Sequence, residues 1–207
     1  MIGLCRHCAA SALWMLCLPI IAQTAPAHDA ASTHTFHDPT YKVSFDYPAN
    51  WNFSVTDHEI STFHLDARSA PSSAVMRAVA AMPENPFPAS TFSGAYFYFS
   101  VTPRASVSSC ARQAAPPGGG GATANEAVRA AGIPFTRGRD EQKGICTTQR
   151  DEIYTAYRHG ACYRFDLSIN NFCGGEVSSV KDITPQELDQ VRERLESILS
   201  TVRFDTK

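Results

Sequence analysis

Hydrophobic and polar residues alternate with period two in several stretches of the chain, the pattern of strands with one buried face. Tyr41, Val43, Phe45 and Tyr47 alternate with Lys42, Ser44 and Asp46. Pro48 ends the run because it has no N–H to give to a ladder. Trp51, Phe53 and Val55 resume it, Ile60 to Ala67 forms a third candidate strand, and residues 74–82 read as strand by their valines, with helix the alternative that their alanines favour. Pro83, Pro86 and Pro88 then mark a loop. Beyond it, Ala95, Phe97, Phe99 and Val101 oppose Tyr96, Tyr98, Ser100 and Thr102, the richest aromatic alternation in the chain. Residues 105–115 read as a short helix carrying Cys110. The PPGGGG run at 116–121 reads as a surface linker, because its glycines lack the spacing and strand–helix setting of a phosphate-binding loop.

From Ile133 the pattern predicts two or three more strands and a final helix. Ile145 to Arg158 and Cys162 to Asn171 flank His159-Gly160, a tight turn in which glycine accepts positive φ. Tyr163, Phe165, Leu167 and Ile169 mark the buried face of the later strand. In the helix, Thr184 caps, Pro185 takes the first position and Glu187 completes a capping box. Leu188, Val191, Leu195, Ile198, Leu199 and Val202 then share one face, and such a stripe needs a sheet to lie on. The fold class is therefore α+β: an antiparallel sheet packed by a C-terminal amphipathic helix and a shorter helix.

The first 27 residues follow a different pattern. Arg6 and His7 precede an apolar run from Ala9 to Ala22, and Ala25-Pro26-Ala27 supplies small residues for a signal peptidase. The run is shorter than the roughly 20 residues that span a bilayer. The expected domains are a signal peptide at 1–27, a flexible arm at 28–36 and one α+β domain at 37–207, in a periplasmic or secreted protein with no stable membrane span after processing. An uncleaved anchor is the rival reading. Seven cysteines then reduce to four, because Cys5, Cys8 and Cys17 lie in the removed segment. Cys110, Cys146, Cys162 and Cys173 form an even set suited to an oxidising compartment.

Strand register predicts the pairing. If His159-Gly160 is a two-residue turn, Arg158 faces Ala161, and Cys146 and Cys173 fall opposite one another at the far end of the ladder. That leaves Cys162 for Cys110. The alternative, Cys110–Cys146 with Cys162–Cys173, requires the last strand to fold back.

The run YKVSFDYPANW (41–51), the hairpin ending in GACYRFDL (160–167) and the terminal LESILSTVRF (195–204) resemble the PsbP-like family, over roughly residues 40–204. That resemblance implies an α/β/α sandwich, with an antiparallel sheet between helical layers, and a non-catalytic binding or assembly role.

Chemistry is sparse in the sequence. Eighteen basic against twenty acidic residues, with no basic run, exclude electrostatic capture of nucleic acid. There is no nucleophile elbow, H-E-x-x-H motif or thiol-protease signature. The pairs Asp140-Glu141 and Asp151-Glu152 read as solvated charges, since neighbours on a strand point to opposite faces; an enzyme would need a site assembled from distant positions. Five histidines, His28, His34, His37, His58 and His64, cluster early among acidic residues. One reading makes them solvated; the other gives a copper or zinc site at His28, His34 and His37, the free amine at His28 assisting. Tyr96, Tyr98, Tyr154 and Tyr157 are candidate contacts for an envelope or extracellular partner. Two function classes stay open: an exported interaction module, and a metal- or small-molecule-binding protein.

Overall fold

The computed structural model describes residues 32–114, 126–172 and 180–205. The chain opens with β1 (Thr33–Asp38) and β2 (Val43–Pro48), a hairpin in which Phe36 faces Phe45. The flexible arm expected over 28–36 is thus strand from Thr33 onward, and residues 28–31 lie outside the described ones. Its polar residues misled because an edge strand needs few apolar contacts: Phe36 supplies them, 5.1 Å from the Phe45 ring and 5.5 Å from Phe53.

After β3 (Asn52–Ser54) comes the helical turn α1 (Phe63–Asp66), where the alternation predicted a strand. Phe63 and Ala67 are both buried, and a spacing of four belongs to one face of a helix. The Asp57 carboxylate accepts the Phe63 N–H at 2.9 Å and fixes where the turn begins. β4 (Val75–Ala81), β5 (Phe92–Pro103) and α2 (Val107–Ala114) follow as read from the sequence. The linker at 116–121 lies outside the described residues. Then come β6 (Glu126–Ala130), β7 (Ile133–Lys143), β8 (Thr147–Arg158), β9 (Ala161–Phe172), α3 (Pro185–Leu199) and β10 (Arg203–Phe204).

Seven strands form one antiparallel sheet in the order β3-β4-β5-β9-β8-β7-β6, and β1-β2-β10 form a second. The predicted turn is present: His159 and Gly160 have φ 49° and 76°, and Arg158 pairs with Ala161. The ladder runs without a bulge to Thr147 opposite Phe172.

The two faces of the large sheet differ in chemistry. One carries Phe97, Phe99, Tyr154, Phe165 and Leu167, and packs under α3 and the small sheet through Leu195, Ile198, Val43 and Phe45. Thr184 caps α3 as expected: its hydroxyl accepts the Glu187 N–H at 3.2 Å, and Glu187 accepts the Thr184 N–H at 2.8 Å. The other face lies under α1 and α2, with Phe63 against Tyr98 and a disulfide from Cys110 on α2 to Cys162 on β9, Cα atoms 5.1 Å apart. The Cys110–Cys162 pairing matches the register argument. Cys146 is also disulfide-bonded, while Cys173 lies outside the described residues. Cys146–Cys173 therefore stays an expectation, and non-reducing peptide mapping is expected to return that peptide; a Cys162–Cys173 peptide would overturn it.

Candidate functional site

Of the four acidic-pair residues, Glu141 alone keeps a partly exposed side chain. Asp140, Asp151 and Glu152 are all buried, at 3%, 2% and 7% exposure. Alternation does send each pair to opposite faces, as expected from the sequence, but strand pairing then gathers charges that the sequence keeps apart. Asp140 faces Asp151 across the β7–β8 ladder on the α2 side, while Arg139 faces Glu152 and Glu141 faces Arg150 on the α3 side.

On the α2 side the buried layer is polar. Arg164 is fully buried and holds the equally buried Asp166 through Nε at 2.9 Å and Nη2 at 2.6 Å. Its other bonds reach the Ser69 hydroxyl at 2.7 Å and the Gln113 carbonyl at 2.8 Å, tying the α1–β4 loop and the end of α2 to the sheet. Asp151 has milder company: Gln149 donates to it at 3.2 Å. Burial, and then the charge of Asp166, hold the Asp151 carboxyl well above the usual range, although Ser168 and Arg164 pull the other way. Asp140 accepts from Gln142 at 2.8 Å, and among the described residues its other oxygen has no partner.

The sign of the resulting pH dependence follows from that upward shift. The folded chain keeps the Asp151 proton where the unfolded chain, with a carboxyl near pH ~3.9, gives it up. Its stabilising contribution is full below that value and is lost as pH rises through the folded-state value. Asp151→Asn is expected to flatten this fall from about pH 4 upward in thermal melts; a slope equal to that of the wild type would show that Asp151 does not titrate as argued.

On the α3 side, Glu152 organises an ion-pair cluster. Its Oε1 accepts from Arg139 Nε at 3.0 Å and lies 3.0 Å from Arg192 Nε on α3. Its Oε2 accepts from Arg137 at 2.7 Å and from the Tyr154 hydroxyl at 3.3 Å. Arg150 pairs with Glu141 at 3.5 Å, and Glu141 with Lys143 at the same distance. Beside the cluster a cleft of about 230 Å³ opens between α3 and strands β7–β9. Arg139, Arg150 and Arg192 line it together with the acidic residues Asp140, Glu141, Asp151 and Glu152, while Leu167, Ile169 and Leu195 border it with almost no exposed surface.

The residues singled out from the sequence are placed elsewhere. His34 and His37 lie three apart on β1, hence on opposite faces; His34 meets the Tyr47 ring and His37 lies 3.4 Å from Asp205. His28 is outside the described residues, and among those described no group of three His, Cys, Asp or Glu residues could hold a metal. Tyr98 and Tyr154 are buried, with their hydroxyls on Asp66 (2.6 Å) and Glu152, so neither presents a contact surface. Tyr96 is half-buried on Tyr98, and Tyr157 is 40% exposed. Sequence reasoning missed the cleft altogether. The signal available was a turn at Gly144, whose N–H meets the Thr147 carbonyl at 2.7 Å and which brings the RGRDE run against the QRDEI run.

No protein-family model and no curated protein matches the chain. Among solved structures it is similar to cyanobacterial PsbP (CyanoP) from Synechocystis sp. PCC 6803, with 12% identity and a TM-score of 0.47 over 89% of this chain and 99% of that one. It is also similar to a protein from Bacteroides thetaiotaomicron VPI-5482, at 10% identity and TM-score 0.47 over 84% of this chain; the match spans about half, 48%, of that longer chain. LpqN, involved in cell envelope biogenesis of Mycobacterium tuberculosis, matches at 9% identity and TM-score 0.37, covering 83% of this chain and 89% of that one. No helix among the described residues is long and apolar enough to cross a membrane.

Proposed function

We propose that this is an exported, non-catalytic binding module whose binding site is the cleft between α3 and strands β7–β9. The observation that carries the reading is a cavity of about 230 Å³ into which three guanidinium groups and neighbouring carboxylates converge, a concave site with several placed polar groups. The non-catalytic part is supported by how the acidic groups are engaged: Glu152 is saturated by three arginines and a tyrosine, and Asp151 and Asp140 are buried on the opposite face of the sheet. Export is supported by the N-terminal sequence and by the disulfides at Cys110–Cys162 and Cys146.

A fragment screen read by NMR tests the site. Small ligands carrying both polar and apolar parts are expected to gather on the amides of Arg139, Arg150, Leu167 and Arg192; consistent gathering elsewhere would overturn the assignment. N-terminal sequencing of protein from native cells tests export. The mature chain is expected to begin within a few residues of His28, and an intact Met1 in the cytosolic fraction would sink that expectation. Copper or zinc at His28, His34 and His37 gains nothing from the geometry of β1. Calorimetry with copper on protein beginning at His28 decides it, a single tight site being the outcome that would revive it.

A further inference from the structure

We infer that a second site, at the turn end of the β8–β9 hairpin, holds the oxyanion of a small soluble ligand on Lys42, Arg158 and His159. These side chains line a cavity of about 210 Å³ between the β1–β2 loop, the β8–β9 turn and β10. It shares no lining residue with the α3 cleft, so the two sites stand or fall separately.

Each cationic or N–H-bearing group springs from a fixed piece of backbone. Lys42 has φ 57°, uncommon for a residue with a Cβ, and it is pinned on both sides. Its N–H donates to the Asp38 carbonyl at 2.8 Å, and its own carbonyl accepts the Asp205 N–H at 2.9 Å. Arg158 belongs to the closing pair of the hairpin and His159 to the turn itself. The Arg158 guanidinium lies over the Phe204 ring, 4.3 Å from its centroid, and Phe204 packs edge-on against Tyr163 at 5.1 Å. Stacking occupies the flat face of a guanidinium and leaves its in-plane N–H donors free.

The charges here do not cancel. Among the described residues, the Lys42 ammonium, the Arg158 guanidinium and the His159 ring have no hydrogen-bond or ion-pair partner. Nearby Asp38 is already taken by Arg77 at 2.7 Å. Asp205 is the one carboxylate among the lining residues, and its Oδ2 lies 3.4 Å from His37. Two full positive charges thus meet one negative charge, whereas the α3 cleft sets three arginines among four acidic residues. Arg104, just beyond the Pro103–Ala161 pair, adds a further exposed cation at this end of the sheet. An oxyanion answers the unused donors, and a cationic ligand would be repelled. Because the donors line a concavity, the fitting occupant is a small ligand and not a flat lipid surface.

The test is an NMR titration of the mature chain, at low salt, with inorganic phosphate, acetate and tetramethylammonium chloride. Phosphate is expected to shift the amides of Lys42, Arg158, His159 and Ala161, acetate to shift them more weakly, and tetramethylammonium to leave them in place. Lys42→Gln, at an exposed position, keeps the fold intact and should weaken phosphate about fivefold; Arg158→Gln should do at least as much. Asp205→Asn should tighten phosphate about threefold, because it removes the carboxylate that opposes the ligand. Affinity unchanged in both Lys42→Gln and Arg158→Gln would overturn the site. Phosphate shifts confined to the amides of Arg139, Arg150 and Arg192 would overturn it too, and leave the α3 cleft as the site in use. Sedimentation of the protein with phosphatidylglycerol vesicles, without any phosphate shift in the cavity, would move the recognition from a small ligand to a membrane surface and equally reject it.

Discussion

Asp166→Ala is expected to destabilise the protein by about 3–5 kcal/mol in urea unfolding, a large share of what a domain of this size has. Asp166 and Arg164 are both completely buried, and Asp166 is the only anion that Arg164 touches among the described residues. Removing the carboxylate leaves a guanidinium in the interior with neutral acceptors alone, Ser69 and the Gln113 carbonyl. The double variant Arg164→Met/Asp166→Leu should lose much less than the single one, because it takes both charges out together. Its remaining loss comes from the carbonyls of Ser69 and Gln113, which give up a donor. A loss under about 1 kcal/mol for Asp166→Ala would mean that water reaches Arg164 and that the layer is not sealed.

Leu195→Asp is expected to abolish folding. Leu195 has no exposed surface, and it sits in the core that joins α3 to the apolar side of the sheet. An unpaired carboxylate there loses its hydration without gaining a partner. Leu195→Ala, which removes only volume, should cost about 2–5 kcal/mol and leave a folded protein. Near-ultraviolet circular dichroism separates the two variants, and an unchanged melting temperature for Leu195→Asp would show that α3 is not packed as described.

The parts of the fold that the sequence made legible are those in which one side of an element is apolar. The alternations of β2, β5 and β9 and the stripe of α3 each mark the face that packs into the main apolar core. The capping box at Thr184 and the turn at His159-Gly160 depend on local chemistry, and both are present. Legibility failed where burial and polarity coincide. Arg164, Asp166 and Ser168 alternate with Tyr163, Phe165 and Leu167, so β9 looks half-solvated, yet all six are buried. The same confusion hid Asp151 and Glu152. Nothing local says that α2 covers one of these residues and α3 the other. The cleft was harder still, because Arg139, Arg150 and Arg192 converge only after the β7–β8 register is set and α3 has docked. The tyrosines failed for the opposite reason: an aromatic ring with a hydroxyl suits a contact surface, but Tyr98 finds its hydroxyl partner inside, at Asp66.

The small sheet joins the two ends of the described chain. β2 lies between β1, which precedes it, and β10, which holds Arg203 opposite Ser44 and Phe204 opposite Val43. A chain that emerges from a ribosome or a translocation pore with its N-terminus first therefore carries β2 through nearly the whole of its passage with one flank unclosed. β5 likewise waits for β9, some sixty residues later, before its second edge is paired. The seam closes only when Arg203 and Phe204 reach β2, so the small sheet is completed late. Until then that flank of β2 has unpaired backbone groups, and trimming the chain before Arg203 would leave it open for good.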